Sequence, residues 1–261
     1  QVLDNLQQCN NHWEEVCWRL LAANFGMRVN AALFEQVART LPVTLLHRHK
    51  QQVQQLEALL LGQANLLSGD YLDAYPLLLQ GEYRFLQKKY QLQPVAARPA
   101  FLRMRPASFP TIRLSQLAVF LHSTPRFFST ICELRTIKEV MQLFNVTAPD
   151  YWNDHYRFDE STVIQSKHLG RQMAENIVIN TVIPLLFAYG LQHRDEAVKD
   201  KALQWLYGIG PEQNNITRHW QQSGIAVRSA LDSQALIELT NHYCTTKRCL
   251  ECAAGNKILK G

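Results

Sequence analysis

The chain has 261 residues, enough for one large domain or two small ones. Its 47% hydrophobic and 19% charged residues are those of a folded protein and exclude a disordered chain, and eleven Gly with ten Pro exclude a fibrous or low-complexity one. Lys and Arg outnumber Asp and Glu 27 to 22, a formal charge of +5. No stretch reaches the roughly 18 uncharged apolar residues that a membrane span needs.

Gln1 to Val16 lack the basic, apolar and small-residue zones of a secretion signal. The chain enters at once into an apolar-periodic helix, so it reads as a portion of a longer protein. Six cysteines are too sparse for a disulfide scaffold; a reducing, cytoplasmic setting without a membrane is expected.

Helical periodicity dominates and strand alternation is nearly absent. A first helix is predicted from about Leu3 to Asn24, stopping at Gly26, and Asn30 is placed to cap a short one through Thr40. Pro42 opens a helix running to about Leu61, and another spans Asp70 to Tyr90. Gln91 to Pro110, with Pro94, Pro99, Pro106 and Pro110, is an extended connection. Helices resume over Ile112–Leu121, Pro125–Leu134 and Ile137–Phe144, followed by a polar, aromatic loop from Asn145 to Glu160. The longest apolar helix, Lys167–Leu191, is expected to kink at Pro184, and Ala197–Tyr207, Ile216–Gln221 and Gln234–Tyr243 complete the set. The predicted class is all-α: a compact array of about ten helices with a Pro-rich connection and a Cys-containing C-terminal tail. Residues 1–261 are read as one domain, with a division into 1–90 and 111–261 available around that connection.

Charge is segregated. From Tyr83 to Cys132 there are eight basic residues and no acidic one: Arg84, Lys88, Lys89, Arg98, Arg103, Arg105, Arg113 and Arg126. The rest of the chain holds 19 basic and 22 acidic residues, so the whole positive excess lies in this window. Tyr83, Phe85, Tyr90, Phe101, Phe109, Phe127 and Phe128 interleave with it. Guanidinium forks match phosphate oxygens and aromatic rings stack on unpaired bases, so the window is a candidate nucleic-acid surface. The alternative is structural: arginines pin the connection to carbonyls, Asp150, Asp154, Asp159 and Glu160 supply counter-charge, and the aromatics are core.

Near the C-terminus, Cys244, Cys249 and Cys252 have C-x4-C-x2-C spacing. Such thiolates suit zinc first and an iron–sulfur cluster second, with a fourth ligand to come from His242 or from Cys9, Cys17 or Cys132. Reduced, packed thiols are the plain alternative. His47 and His49 read as a solvated helix face, and Gln172, Asn176 and Asn180 as an interhelical hydrogen-bonding stripe. No phosphate-loop, dinucleotide, nucleophile-elbow or zincin motif is present, and no nucleophile–base pair can be named.

Six stretches together resemble a bacterial family, the domain of unknown function 2851: Leu21–Asn30, Gln55–Ala64, Phe101–Pro106, Phe109–Arg113, Asn176–Asn180 and Tyr243–Cys252. The resemblance runs in order along nearly the whole chain. It implies longer members with an N-terminal β-rich portion whose acidic motifs look like metal-dependent nuclease cores, this chain being the helical companion. The F-L-R-M-R-P and F-P-T-I-R motifs fall inside the basic window. The resulting expectation is a module contacting DNA or RNA through Arg98, Arg103, Arg105 and Arg113, aided by Phe101 and Phe109, with no catalytic residues of its own. The competing expectation is a structural module serving the N-terminal portion or a partner protein.

Overall fold

Two asparagines break what periodicity reads as one long first helix. In the computed structural model, which describes residues 2–102 and 104–259, Asn10 and Asn11 have φ of 50° and 60°. This left-handed backbone is least costly for Gly, Asn and Asp. So α1 (Val2–Gln8) stops and α2 (Trp13–Phe25) starts afresh, with the His12 ring accepting the Glu15 amide at 3.1 Å. Gly26 joins α2 directly to α3 (Met27–Thr40). A Cβ there would lie 2.6 Å from the Asn30 carbonyl oxygen, so this corner requires glycine.

Pro42 precedes α4 (Val43–Arg48), but a turn over His49–Gln52 separates it from α5 (Val53–Gln63) where a single helix is predicted. The reason is His49, which is buried rather than solvated. Its Nδ1 is 2.6 Å from Gln55 Oε1 and its Nε2 2.9 Å from the Tyr90 hydroxyl. The next helix, α6 (Ala74–Tyr90), ends on Gln91 in left-handed backbone. Then α7 (Pro110–Ser123), α8 (Phe127–Glu133) and α9 (Ile137–Leu143) follow in the predicted order. Where the sequence predicts only a loop, a small antiparallel hairpin forms, β1 (His155–Arg157) with β2 (Glu160–Ser161). Strands this short leave no alternation to read.

Between α10 (Arg171–Ile177) and α11 (Ile183–His193) lies a π turn, Val178–Val182. Pro184 has no N–H to give back to the preceding turn, and the helix widens there instead of ending. Arg171–His193 is thus one helix, long and apolar enough by length and composition to cross a membrane, with 61% of its most apolar window buried in the protein. The polar stripe of Gln172, Asn176 and Asn180 is exposed, and Asn180 donates to the Asn176 carbonyl at 2.9 Å rather than to another helix.

Contacts divide the chain into two compact units, Gln1–Ala188 and Tyr189–Gly261. At the centre of the first are α5 and α7, buried continuously over Leu56–Gln63 and Pro110–Ala118. Helices without a solvent face must be surrounded, and α6 closes over α5. Tyr83 fits there only because residue 62 is glycine: a Cβ would fall 2.2 Å from its ring. The second unit holds α12 (Glu196–Gly208), α13 (Asn215–Gln222), α14 (Ala230–Leu239) and α15 (Ala253–Leu259). Capping boxes Asn214/Thr217 and Ser229/Asp232 start α13 and α14, and Trp205, Leu206 and Ala230 are buried. The class is all-α.

Candidate nucleic-acid interface

The connection after α6 is pinned twice. The Val95 amide donates to the Gln63 carbonyl at 2.9 Å. Asn30, inside α3 rather than capping it, clamps Ala100 as a neighbouring strand would, giving Nδ2–H to its carbonyl and accepting its amide, both at 2.9 Å. Arg98 and Arg105 lie exposed on either side of that clamp in sequence, and Arg103 falls outside the described residues. Arg84, Lys88, Lys89 and Arg126 are exposed as well. Among the described residues none of these six forms a salt bridge. Three of the four acids offered as partners are engaged elsewhere, and the fourth, Asp150, accepts from Asn153 at 3.4 Å. Asp159 accepts the Leu72 and Asp73 amides at 3.0 and 2.9 Å, Asp154 meets His155 at 2.7 Å, and Glu160 faces Arg157 at 3.6 Å.

Phe101 and Phe109 are half-buried and meet edge to face, 5.1 Å between centroids. The guanidinium of Arg157, delivered by β1, lies 4.8 Å from the Phe101 centroid and 5.3 Å from that of Phe109. Tyr156 continues the cluster 6.4 Å from Phe109, with Lys167 Nζ 4.2 Å above its ring. Sequence reasoning missed Arg157 and Lys167 because both lie outside the basic window and only the fold brings them to it, Arg157 through the hairpin and Lys167 from the segment after it.

Arg113 differs from the other arginines of the window. It is 7% exposed. Its Nη1 donates to Gln116 Oε1 at 3.0 Å and its Nη2 to Ser108 Oγ at 3.4 Å, while the buried Nε has no partner. Burial lowers its pKa to about 10, with no carboxylate acting against the shift. Gln116 passes the chain of hydrogen bonds on to the Lys167 carbonyl at 2.9 Å, and the buried Lys167 ammonium donates to the carbonyls of Asn153 and Gln165 at 3.0 and 2.6 Å.

A second polar cluster had no sequence signal. Glu57 on α5 is fully buried and accepts from Ser115 Oγ at 2.6 Å, Trp152 Nε1 at 2.7 Å and the Tyr75 hydroxyl at 2.5 Å. Burial raises its pKa against those three hydrogen bonds. Tyr75 stacks on Tyr151 at 4.7 Å, and Tyr151 on His155 at 4.1 Å. His155 Nε2 is 3.2 Å from Ser161 Oγ, and Asp154 holds the other ring nitrogen. The spacing suggests a Ser–His–Asp relay, but Nε2 also faces Asp73 at 3.4 Å. Nε2 is therefore shared between the serine hydroxyl and a second carboxylate. The cluster fastens the hairpin to the start of α6.

In the second unit Cys244 and Cys249 are exposed and Cys252 is buried, all three as free thiols. Among the described residues no group of three or more His, Cys, Asp and Glu side chains is placed to hold a metal.

Residues 1–215 match the family described as Protein of unknown function (DUF2851), and the chain belongs to it. The matched residues include the whole basic window and the hairpin, and end before the Tyr243–Cys252 stretch. No curated protein and no solved structure matches the chain.

Proposed function

We propose that the first unit binds nucleic acid through the corner formed by residues 98–113 and the β1–β2 hairpin. Arg98 and Arg105 contact phosphates, Arg103 adds to them in sequence, and the Phe101–Phe109 pair supplies stacking surface. One observation carries this reading: Arg98 and Arg105 are exposed without a carboxylate partner among the described residues, in the same connection as an aromatic pair crossed by a further arginine. A structural role for exposed arginines would pair them with acids or carbonyls. Binding of this kind is dominated by phosphate charge and falls steeply with salt.

The test is anisotropy of short labelled DNA and RNA with the purified chain, at low and at physiological salt. Arg98→Glu with Arg105→Glu is expected to weaken binding about 100-fold at low salt and to reduce the salt slope by about 2, with helicity unchanged. Equal affinity of the double variant and the parent sinks the assignment.

A specific observation also supports a structural or protein-interaction module: Arg157 already covers the faces of Phe101 and Phe109, and Arg113 is buried. Under that reading the double variant leaves nucleic-acid affinity unmoved and lowers the melting temperature instead.

A further inference from the structure

Arg113 presents a problem that its surroundings do not answer. A guanidinium has five N–H donors. This one is 7% exposed, makes one good hydrogen bond to Gln116 and a long one of 3.4 Å to Ser108, and keeps a buried Nε with no partner. Its neighbours add to the imbalance. Lys167, 4% exposed, reaches only two carbonyls and a ring. Arg157 has a second buried Nε without a partner, although its side chain is 42% exposed and Glu160 lies 3.6 Å away. A charge taken out of water without an opposite charge is strongly unfavourable.

The two unpartnered Nε atoms flank one step of chain. Arg113 reaches Ser108, and Arg157 lies over the ring of Phe109. Phe109 is also the N-cap of the 14-residue α7 and offers no side-chain oxygen to the helix's free amides. The Thr111 hydroxyl is turned to the Tyr156 carbonyl at 2.6 Å, so it does not cap them either. The start of α7 thus has Arg113 beside Ser108 and Arg157 over Phe109, and an anion there meets both the helix dipole and positive charge. Exposed Arg105 stands one turn back, its carbonyl accepting the Ser108 amide at 2.8 Å.

We propose that this corner is a phosphate-binding site that takes a tetrahedral oxyanion between Arg113 and Arg157 at the start of α7. The inference rests on the nucleic-acid reading only for the carrier of the phosphate. A phosphodiester within a strand and a terminal monoester offer the same oxygens to a guanidinium fork.

The experiment titrates the whole chain with inorganic phosphate, against chloride at equal ionic strength, following Tm. In parallel, DNA and RNA oligonucleotides with a 5′-phosphate or a 5′-hydroxyl are titrated by anisotropy. Phosphate is expected to raise Tm by about 2–8 °C near saturation. Arg113→Met should abolish that shift and melt no lower than the parent in phosphate-free buffer, because an apolar chain of similar length replaces an uncompensated charge. If Arg113→Met does not fold, Arg157→Met carries the test and must lose the shift. A preference for the 5′-phosphate assigns the site to a terminal monoester, and equal binding assigns it to the strand backbone. Oligonucleotides that fail to bind while phosphate still raises Tm would end the nucleic-acid reading and leave a site for a small phosphate ester. Phosphate acting no differently from chloride, or a shift surviving in the variants, overturns the proposal.

Discussion

Glu57 and Arg113 are buried charges on the two central helices, α5 and α7, and they are treated in opposite ways. Three donors, from α6, from α7 and from the segment before the hairpin, converge on the two oxygens of Glu57. Arg113 has one good acceptor, one distant hydroxyl and a buried N–H facing nothing. The first arrangement is finished from within and ties three parts of the fold together. The second is finished only by something from outside. Polar groups buried at comparable depth therefore separate by the completeness of their hydrogen bonding, and that separation locates a binding site more sharply than charge density along the sequence.

The contrast is tested most severely at the complete site. Glu57→Ala strands the Ser115, Tyr75 and Trp152 donors together, and a loss of about 3–5 kcal/mol in urea unfolding is expected. Glu57→Gln keeps an acceptor for Ser115 and Trp152 and an amide for the Tyr75 oxygen, so it should cost far less. A Glu57→Ala protein as stable as the parent would remove the structural half of the comparison.

Lys167 is the intermediate case. Its ammonium lacks an acid but gives two good hydrogen bonds to carbonyls and lies over the Tyr156 ring. Lys167→Met should cost about 1–3 kcal/mol, the price of leaving the Asn153 and Gln165 carbonyls unpartnered. Arg113→Met, which leaves one side-chain amide acceptor, should cost nothing measurable in phosphate-free buffer. If both changes destabilise the protein equally, the unpartnered Nε has no special meaning and Arg113 is a structural pin.

The class and most helices were legible because apolar periodicity is local. The Pro-rich connection, the start after Pro42 and the order α7, α8, α9 all rest on signals a few residues long. Breaks were harder. The Asn10–Asn11 pair carried a readable left-handed signal, whereas the turn at His49 is set by Gln55 and by Tyr90 from another helix. The basic window showed where charge concentrates but not which arginine turns inward. Arg113 sits one residue after Ile112 on a helix buried on every face, so burial there follows from packing. Glu57 and Trp152 meet across 95 positions, and no spacing rule reaches that far.

The smallest effect bears on how complete the Glu57 site is. Its folded pKa is raised above 4.5, chiefly by burial, with the three hydrogen bonds opposing. A carboxyl of this kind holds its proton longer in the folded state than in the unfolded one. Its contribution to stability is full below about pH 4.5 and is lost as pH rises through the folded value. Gln at position 57 does not titrate, so the stability of the parent minus that of Glu57→Gln should fall with increasing pH above that point, read as paired urea midpoints. A difference that stays flat would mean that the donors cancel the desolvation entirely. A difference that rises with pH would mean that they exceed it, making Glu57 a carboxylate held in place by the fold, and the contrast with Arg113 would then be sharper than burial alone implies.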